Sequence, residues 1–202
     1  PQVSAAPSRP ANAAGWYTAP FTVSFSGGDA TSGLDSCDPQ KSFSGPDSAA
    51  AAVAGTCRDQ AGNTGNTSFA LKYDATAPLT TAAPSRQPNA NGWFNAPLTV
   101  SFAATDATST VDSCDAAKGY SGPDIAATAL AGICRDKAGN SSSASYAIKY
   151  DATAPQTTAA PSRQPNASGW YTAPLTLGFS ATDATSTVDS CDAAKSYSGP
   201  DI

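Results

Sequence analysis

The chain repeats itself at a fixed spacing of 77 residues, and this periodicity limits its fold more than any other feature. The markers of the repeat are equally spaced tryptophans and cysteines: Trp16, Trp93, Trp170, Cys37, Cys114 and Cys191. Residues 78–125 align with residues 155–202 without a gap, and only eight of these 48 paired positions differ. A period of this length predicts a series of similar small modules.

The period divides the 202 residues into two full repeats and part of a third. The predicted modules are residues 1–77, 78–154 and 155–202, the last of them truncated. Two explanations of the incomplete third repeat remain open. The chain is a piece of a longer protein, or the missing strands are supplied by another chain.

Composition favours an all-β protein over a helical one. The sequence contains no Glu, His or Met, and its 16 Pro and 16 Gly divide segments rich in Ala, Ser and Thr. This pattern is typical of many short strands joined by turns. The net charge of −5 provides no basic surface for nucleic acid. No apolar run approaches the ~20 residues that a membrane-spanning helix needs, so we do not expect this segment to cross a membrane.

The cysteines indicate one disulfide in each module. They recur at the same two positions, without a C-x-x-C pair or a histidine that would complete a zinc site. The predicted pairs are Cys37–Cys57 and Cys114–Cys134, and the partner of Cys191 would lie beyond residue 202. Since Cys134 shares a strand face with Leu130 and Gly132, we expect a disulfide that crosses the core. Disulfides imply an oxidising, extracellular location, either secreted or at the cell surface.

Alternation with period two identifies the strands of the second repeat. Leu98, Val100 and Phe102 share one predicted buried face, and so do the aromatic and aliphatic residues of the last strand, Tyr146, Ile148 and Tyr150. Between the last two strands, residues 136–140 read Asp-Lys-Ala-Gly-Asn, which predicts a tight hairpin with a glycine at positive φ. About seven short strands of this kind predict a two-sheet β-sandwich.

Several segments of the second repeat, taken in order, resemble the bacterial immunoglobulin-like repeats of long secreted and surface-anchored proteins. They are Gly92-Trp93-Phe94, residues 97–102, Thr105-Asp106, residues 136–140 and the closing residues 150–155. The resemblance implies tandem immunoglobulin-like β-sandwich modules that serve as a stalk, a spacer or an adhesin. It implies no particular ligand, and the disulfide occurs in only part of that family.

An acidic set forms the first candidate site. In an immunoglobulin-like topology, the end of one module lies beside the turns of the next, so Asp74, Asp106, Asp136 and Asn140 would converge at the first junction. At the second junction the equivalent set would begin with Asp151 and Asp183. Oxygen ligands of this type suit Ca²⁺, and some adhesins of the resembled family are stiffened by calcium at their junctions. The alternative interpretation is that these residues only cap turns and precede a linker.

Adjacent aromatic residues form the second candidate site, because aromatic side chains on a β surface can stack on sugar rings. The pairs are Trp16-Tyr17, Trp93-Phe94 and Trp170-Tyr171. The alternative is that each tryptophan closes the end of a small core, with its neighbour against the flanking prolines.

Catalysis has little support in the sequence. Without histidine, glutamate or free thiols in complete modules, a general base would have to be an Asp or Lys, and these stand at turn or surface positions. We therefore expect a non-enzymatic stalk or adhesin, with very short connectors that stack the modules at ~35 Å each. Its expected partners are neighbouring modules, copies of itself, or a surface glycan or protein. The alternatives are a filament subunit completed by a neighbouring chain and the ligand-binding accessory region of a secreted enzyme.

Overall fold

The computed structural model describes residues 1–199, and their regular structure is entirely β. The all-β class expected from composition is confirmed. Within these residues, no helix is long and apolar enough to span a bilayer.

Seven strands form the first repeat, and each recurs 77 residues later in the second. Those of the first are β1 (Gln2–Pro7), β2 (Trp16–Tyr17), β3 (Phe21–Gly28), β4 (Leu34–Cys37), β5 (Lys41–Phe43), β6 (Ser48–Asp59) and β7 (Thr64–Tyr73). Those of the second are β8 (Leu79–Pro84), β9 (Trp93–Phe94), β10 (Leu98–Thr105), β11 (Val111–Cys114), β12 (Lys118–Tyr120), β13 (Ile125–Asp136) and β14 (Ser141–Tyr150). The described part of the third repeat contains β15 (Gln156–Pro161), β16 (Leu175–Thr182) and β17 (Lys195–Tyr197).

The strands of the first repeat form two sheets, with the orders β1-β3-β5 and β2-β7-β6-β4. The second repeat has the same two orders, β8-β10-β12 and β9-β14-β13-β11. In the first repeat, neighbouring strands are antiparallel, except that the short β2 runs parallel to β7. In the second repeat, the short β9 likewise runs parallel to β14. In the third repeat, β15, β16 and β17 form a sheet with the registers of β1, β3 and β5.

The core of the first repeat lies between its two sheets. Alternate residues of β3 point inward, namely Phe21, Val23 and Phe25, and they pack with Val53 and Leu71 of the opposite sheet. The backbone of β6 approaches so closely that a Cβ added at Gly55 would lie 2.2 Å from the ring of Phe25. Glycine at this position therefore makes room for the ring.

The second repeat follows the strand pattern expected from its sequence. Leu98, Val100 and Phe102 are buried, as are Ile148 and Tyr150 at the end of β14. The turn between β13 and β14 contains Gly139 at a φ of 100°. The expected hairpin and the buried faces of both strands are thus present.

The disulfides do not cross the core, which corrects the expectation from sequence. Cys37 of β4 lies directly opposite Cys57 of β6 in one sheet, and their Cα atoms are 3.9 Å apart. Cys114 and Cys134 pair in the same way on β11 and β13. Alternation correctly predicted that Cys134 faces inward, but it does not specify which strand holds the partner. Within residues 1–199, Cys191 is the free cysteine, and it is exposed.

The chain packs into two compact units that do not coincide with the repeats. The first unit combines Pro1–Ala83 with Ser101–Ala117 and Ala131–Ser145, and the second contains Pro84–Val100, Lys118–Leu130 and the chain from Tyr146 onward. Each unit takes part of the second repeat. Module boundaries at residues 77 and 154 therefore stay a prediction.

Candidate functional site

The acidic residues expected at the first junction lie together inside the first unit. Carboxylate oxygens of Asp74, Asp106 and Asp136 are all within 4.8 Å of one another. Asp74 directly follows β7, and Asp136 ends β13, so strand ends bring both residues to the same place. Asp74 and Asp136 are buried, with 0% and 2% of their surface exposed. Three carboxylates at this separation repel one another unless hydrogen bonds or a cation offset their charge.

Backbone N–H groups supply part of that offset. Asp106 Oδ1 accepts hydrogen bonds from the backbone of Thr108, Ser109 and Thr110. Asp136 Oδ1 accepts from Gly139 at 2.7 Å and from Asn140 at 2.9 Å. These are the turn-capping roles that the simpler interpretation assigned to both residues.

Asn140 takes part in the junction as a donor and does not present its amide oxygen to the cluster. Its Nδ2 donates to the backbone oxygens of Asp74 (2.9 Å) and Thr76 (3.1 Å), and also to Asp136 Oδ2. An amide nitrogen directed at the cluster cannot bind a cation. As the residue is placed, Asn140 is therefore excluded from a set of metal ligands.

The connector between the repeats, residues 74–78, is held by hydrogen bonds from both sides. On the side of the first repeat, Asp47 accepts from the backbone of Ala75 and the hydroxyl of Thr76. On the other side, the N–H of Ser109 donates to Asp74 Oδ2 at 3.1 Å, and the Ser142 hydroxyl donates to the Pro78 oxygen. Little of the connector is left free to rotate.

A second contact joins the two repeats away from the connector. Asn12, in the turn before β2, donates from Nδ2 to the backbone oxygens of Lys137 and Ala138. The bond to Ala138 is 2.8 Å long, and Ala138 itself is 3% exposed. The hairpin of the second repeat is therefore fixed to the first repeat at a point outside the connector.

The second junction, which lies in the second unit, repeats part of this arrangement. Asp124 accepts from the backbone of Ala152 and the hydroxyl of Thr153, as Asp47 does 77 residues earlier. The Thr153 hydroxyl is the main cause that lowers the pKa of Asp124, while the nearby carboxylate of Asp183 opposes this effect. Asp151 is buried and caps the N–H of Thr153. Asp151 and Asp183 thus both lie near Asp124, and a metal-binding set that begins with them stays a prediction.

Sequence reasoning missed Asp47 and Asp124. Asp47 accepts hydrogen bonds from the connector at residues 74–78, and Asp124 accepts them from the equivalent residues 151–155. A signal was present, because each follows a Ser-Gly-Pro turn that recurs at the 77-residue spacing. An aspartate in such a turn is usually interpreted as a local cap. Nothing in the pattern indicates that its acceptor atoms reach the connector 28 residues further on.

Asp29 occupies the position of Asp106 in the first repeat, and it gives a prediction about acid stability. The backbone N–H and the hydroxyl of Ser32 donate to this carboxylate and lower its pKa to about 2. Because the folded pKa is depressed, the stabilisation is present above about pH 4 and is lost as the pH falls towards about 2. We expect Asp29→Asn to weaken the dependence of the thermal unfolding midpoint on pH between these values.

The matched measurement compares the wild type with Asp29→Asn in scans from neutral pH to about pH 2. Asparagine keeps the Oδ1 acceptor, so the turn is expected to survive, while the titration and the ion pair of Asp29 with the Pro1 ammonium at 3.5 Å disappear. If both proteins lose stability in parallel between about pH 4 and about pH 2, the assignment of this pH dependence to Asp29 is wrong.

The paired aromatic residues are largely internal in the first two repeats. Tyr17 and Phe94 are buried, and Tyr17 stacks on Phe21 with ring centroids 4.0 Å apart. Trp16 is only 6% exposed, while Trp93 is half-buried beneath the Lys149 ammonium at 5.8 Å. Burial therefore removes Trp16, Tyr17 and Phe94 as surfaces for stacking on a sugar. In the third repeat, Trp170 and Tyr171 are exposed.

The disulfides of the described chain, Cys37–Cys57 and Cys114–Cys134, indicate an oxidising environment such as the cell exterior. Comparison with known proteins gives no further identification, since no protein-family model matches this chain and no curated protein is significantly similar to it.

Proposed function

We propose that this chain is part of an extracellular stalk or adhesin made of tandem immunoglobulin-like β-sandwich modules, and that it is not an enzyme. The strand order supports the module type. In the order β1-β3-β5, the three strands have the neighbours of strands A, B and E of an immunoglobulin domain. In the other sheet, β7, β6 and β4 have the neighbours of strands G, F and C, and the short β2 is added beside β7. The resemblance of the sequence to bacterial immunoglobulin-like repeats agrees with this order.

One observation carries the mechanical role: the first connector is hydrogen-bonded by both repeats that it joins. Asp47 binds it from one side, and Asn140 binds it from the other. A flexible linker would leave its backbone groups to water. A connector whose backbone is bonded in this way transmits force and orientation from one module to the next, as a stalk requires.

We expect Asn140→Ala to loosen the first junction, because it removes both hydrogen bonds to the connector carbonyls. Small-angle X-ray scattering of the full chain should then show a broader distribution of interatomic distances than in the wild type. Asn63→Ala is the matched control, since Asn63 holds the equivalent position and its side chain donates to Asp59 in its own turn. If both variants scatter like the wild type, Asn140 does not stiffen the junction and the stalk proposal loses its main support.

Calcium at the junction is a second element of the proposal. The observation that favours it is the separation of at most 4.8 Å among oxygens of Asp74, Asp106 and Asp136. Ca²⁺ takes six to eight oxygen ligands, so three carboxylates would need backbone oxygens and water to complete the shell. Bound calcium would offset two of the three negative charges of the cluster and would link the connector to the second repeat.

The ligand-binding alternative has weaker support. A row of exposed tryptophans at the 77-residue spacing would favour a glycan surface. Trp16 is instead buried, and Trp93 is half-buried under a lysine. Trp170, in the third repeat, is exposed.

A further inference from the structure

The sequence contains a single Asn-Gly pair, Asn91-Gly92, which lies in the turn before β9. Asn91 is exposed, and the N–H of Gly92 donates to the backbone oxygen of Asn89 at 2.9 Å. The first and third repeats carry Ala14 and Ser168 at the position of Asn91. The pair therefore distinguishes the second repeat from the other two.

The side-chain amide of Asn91 is not held by the protein. In the part of the chain that the structure describes, no hydrogen bond joins the amide of Asn91 or of Asn95 to another residue, and both residues are exposed. By contrast, Asn89 Oδ1 accepts two backbone N–H groups, and the Asn140 amide donates to the connector. Asn91 and Asn95 thus have the same exposure and the same freedom.

The residue that follows distinguishes these two asparagines. Gly92 has a φ of 82°, and a Cβ built on it would meet no heavy atom within 4 Å, so the turn is open to water at this point. Glycine has no Cβ to hinder the approach of its nitrogen to the side chain before it, whereas Asn95 is followed by Ala96. One hydrogen bond, to the Asn89 oxygen, holds the Gly92 N–H. Opening of this bond frees the nitrogen to react.

We propose that Asn91 is a site of self-modification, at which the side chain deamidates through a cyclic imide formed with Gly92. The Gly92 nitrogen loses its proton to water and bonds to Asn91 Cγ, while the bond from Cγ to Nδ2 breaks and the leaving nitrogen takes up a proton as ammonia. Water then opens the imide. Cleavage at Cγ yields aspartate, and cleavage at the backbone carbonyl carbon yields isoaspartate. One water is consumed and one ammonia is released, so no oxidant is needed, and the inference does not depend on the proposed function.

Isoaspartate is expected to break the turn in which it forms, because the main chain then runs through Cβ and Cγ and gains one atom. The N–H groups of Asn91 and Trp93 both donate to Asn89 Oδ1, at 3.0 and 2.9 Å, with the reacting peptide bond between them. An added atom moves the Trp93 N–H away from this oxygen. Since the two-residue β9 pairs Trp93 with Lys149 of β14, loss of the turn releases β9 from the sheet.

Incubation of the full chain at neutral pH and constant temperature tests the site. Trypsin cleaves after Arg86 and Lys118, so a single peptide contains Asn89, Asn91 and Asn95. Tandem mass spectrometry with electron-transfer fragmentation locates the deamidated residue and distinguishes isoaspartate from aspartate. We expect Asn91 to deamidate about tenfold or more faster than Asn95, because the reaction requires close approach of the backbone nitrogen to Cγ. Equal rates at these two residues would overturn the proposal.

Asn91→Ser is the matched control variant. The third repeat carries Ser168 at this position and keeps both hydrogen bonds of the turn to Asn166 Oδ1. The wild type has a formal net charge of −5, and deamidation adds one ionised carboxylate. Isoelectric focusing should therefore show an acidic band that grows with time in the wild type and not in Asn91→Ser. A band that grows equally in both proteins would show that the reaction lies elsewhere.

Tryptophan emission tests the release of Trp93. Trp170→Phe removes the exposed tryptophan, so the emission then reports Trp16 and Trp93. Aged protein that contains isoaspartate should emit at longer wavelength than fresh protein, because Trp93 becomes exposed to water. Asn91→Asp adds the charge without the extra chain atom and should emit like fresh protein. An unchanged emission in the aged protein would overturn the release of β9, and none of these results bears on the junction measured with Asn140→Ala.

Discussion

Replacing both Cys37 and Cys57 with alanine is expected to lower the free energy of unfolding of the first repeat by about 3 kcal/mol. The disulfide closes a loop of 20 residues, and in the chain-entropy model a loop of this length restricts the unfolded chain by that amount. A module of this size buries a limited core, so the loss is a large fraction of its stability.

The position of the disulfide shows which part of the module should loosen first. Strand β4 is a four-residue edge strand whose partner is β6. The loop closed by the disulfide contains β5, which is an edge strand of the opposite sheet. In this strand, the Phe43 ring packs against Tyr73 with centroids 5.3 Å apart. Without the disulfide, we expect both edges to fray and expose this contact.

Urea unfolding followed by circular dichroism measures the effect, and Cys191→Ser serves as the control. Cys191 is exposed and free, so its replacement should leave the unfolding curve unchanged. Reduction of the wild type should lower its stability as the alanine substitutions do. A reduced protein that unfolds at the same urea concentration as the oxidised one would show that the disulfides contribute nothing to stability.

Local sequence pattern was sufficient to predict the strands with the clearest alternation, β10 and β14. Leu98, Val100 and Phe102 alternate with polar residues, and only one face of a pleated strand can be buried in a sandwich. The hairpin at residues 136–140 was predicted from Gly139, which tolerates positive φ without a Cβ clash. Both features depend on near neighbours in the chain, so no tertiary information was needed.

Strand pairing could not be predicted in the same way. Alternation places Cys134 on an inner face but does not say whether Cys114 lies opposite it in the same sheet or across the core. The register of β11 on β13 contains an irregularity between Val111 and Ser113, which no local pattern indicates. The inward position of Tyr17 likewise depends on the parallel pairing of β2 with β7.

The sequence correctly predicted which aspartates come together in the candidate site. It predicted the role of the neighbouring Asn140 side chain incorrectly. Asp74, Asp106 and Asp136 meet as the assumed topology requires. Asn140 was assigned as an oxygen ligand, but it donates through its nitrogen because the connector carbonyls of Asp74 and Thr76 lie beside it. An amide side chain offers both a donor and an acceptor, and only the positions of its neighbours determine which of them is used.

Calcium at 100 times its dissociation constant is expected to stabilise the folded chain by about 2.7 kcal/mol, if the cluster at the first junction binds it. The physical reason is that Ca²⁺ binds the preformed carboxylates of Asp74, Asp106 and Asp136 in the folded state and finds no such cluster in the unfolded chain. The thermal unfolding midpoint should rise with calcium concentration and return on chelation. Magnesium should have a smaller effect, because it loses its water reluctantly and requires near-octahedral ligands.

Asp106→Asn and Asp29→Asn form the matched pair for this test. Both aspartates accept hydrogen bonds from the serine three residues later, Asp106 from Ser109 and Asp29 from Ser32, so the two substitutions change the same type of turn. Asp106 also belongs to the three-carboxylate cluster. The calcium effect should therefore disappear in Asp106→Asn and persist in Asp29→Asn. A wild type that does not respond to calcium would leave hydrogen bonds as the means by which this junction is held.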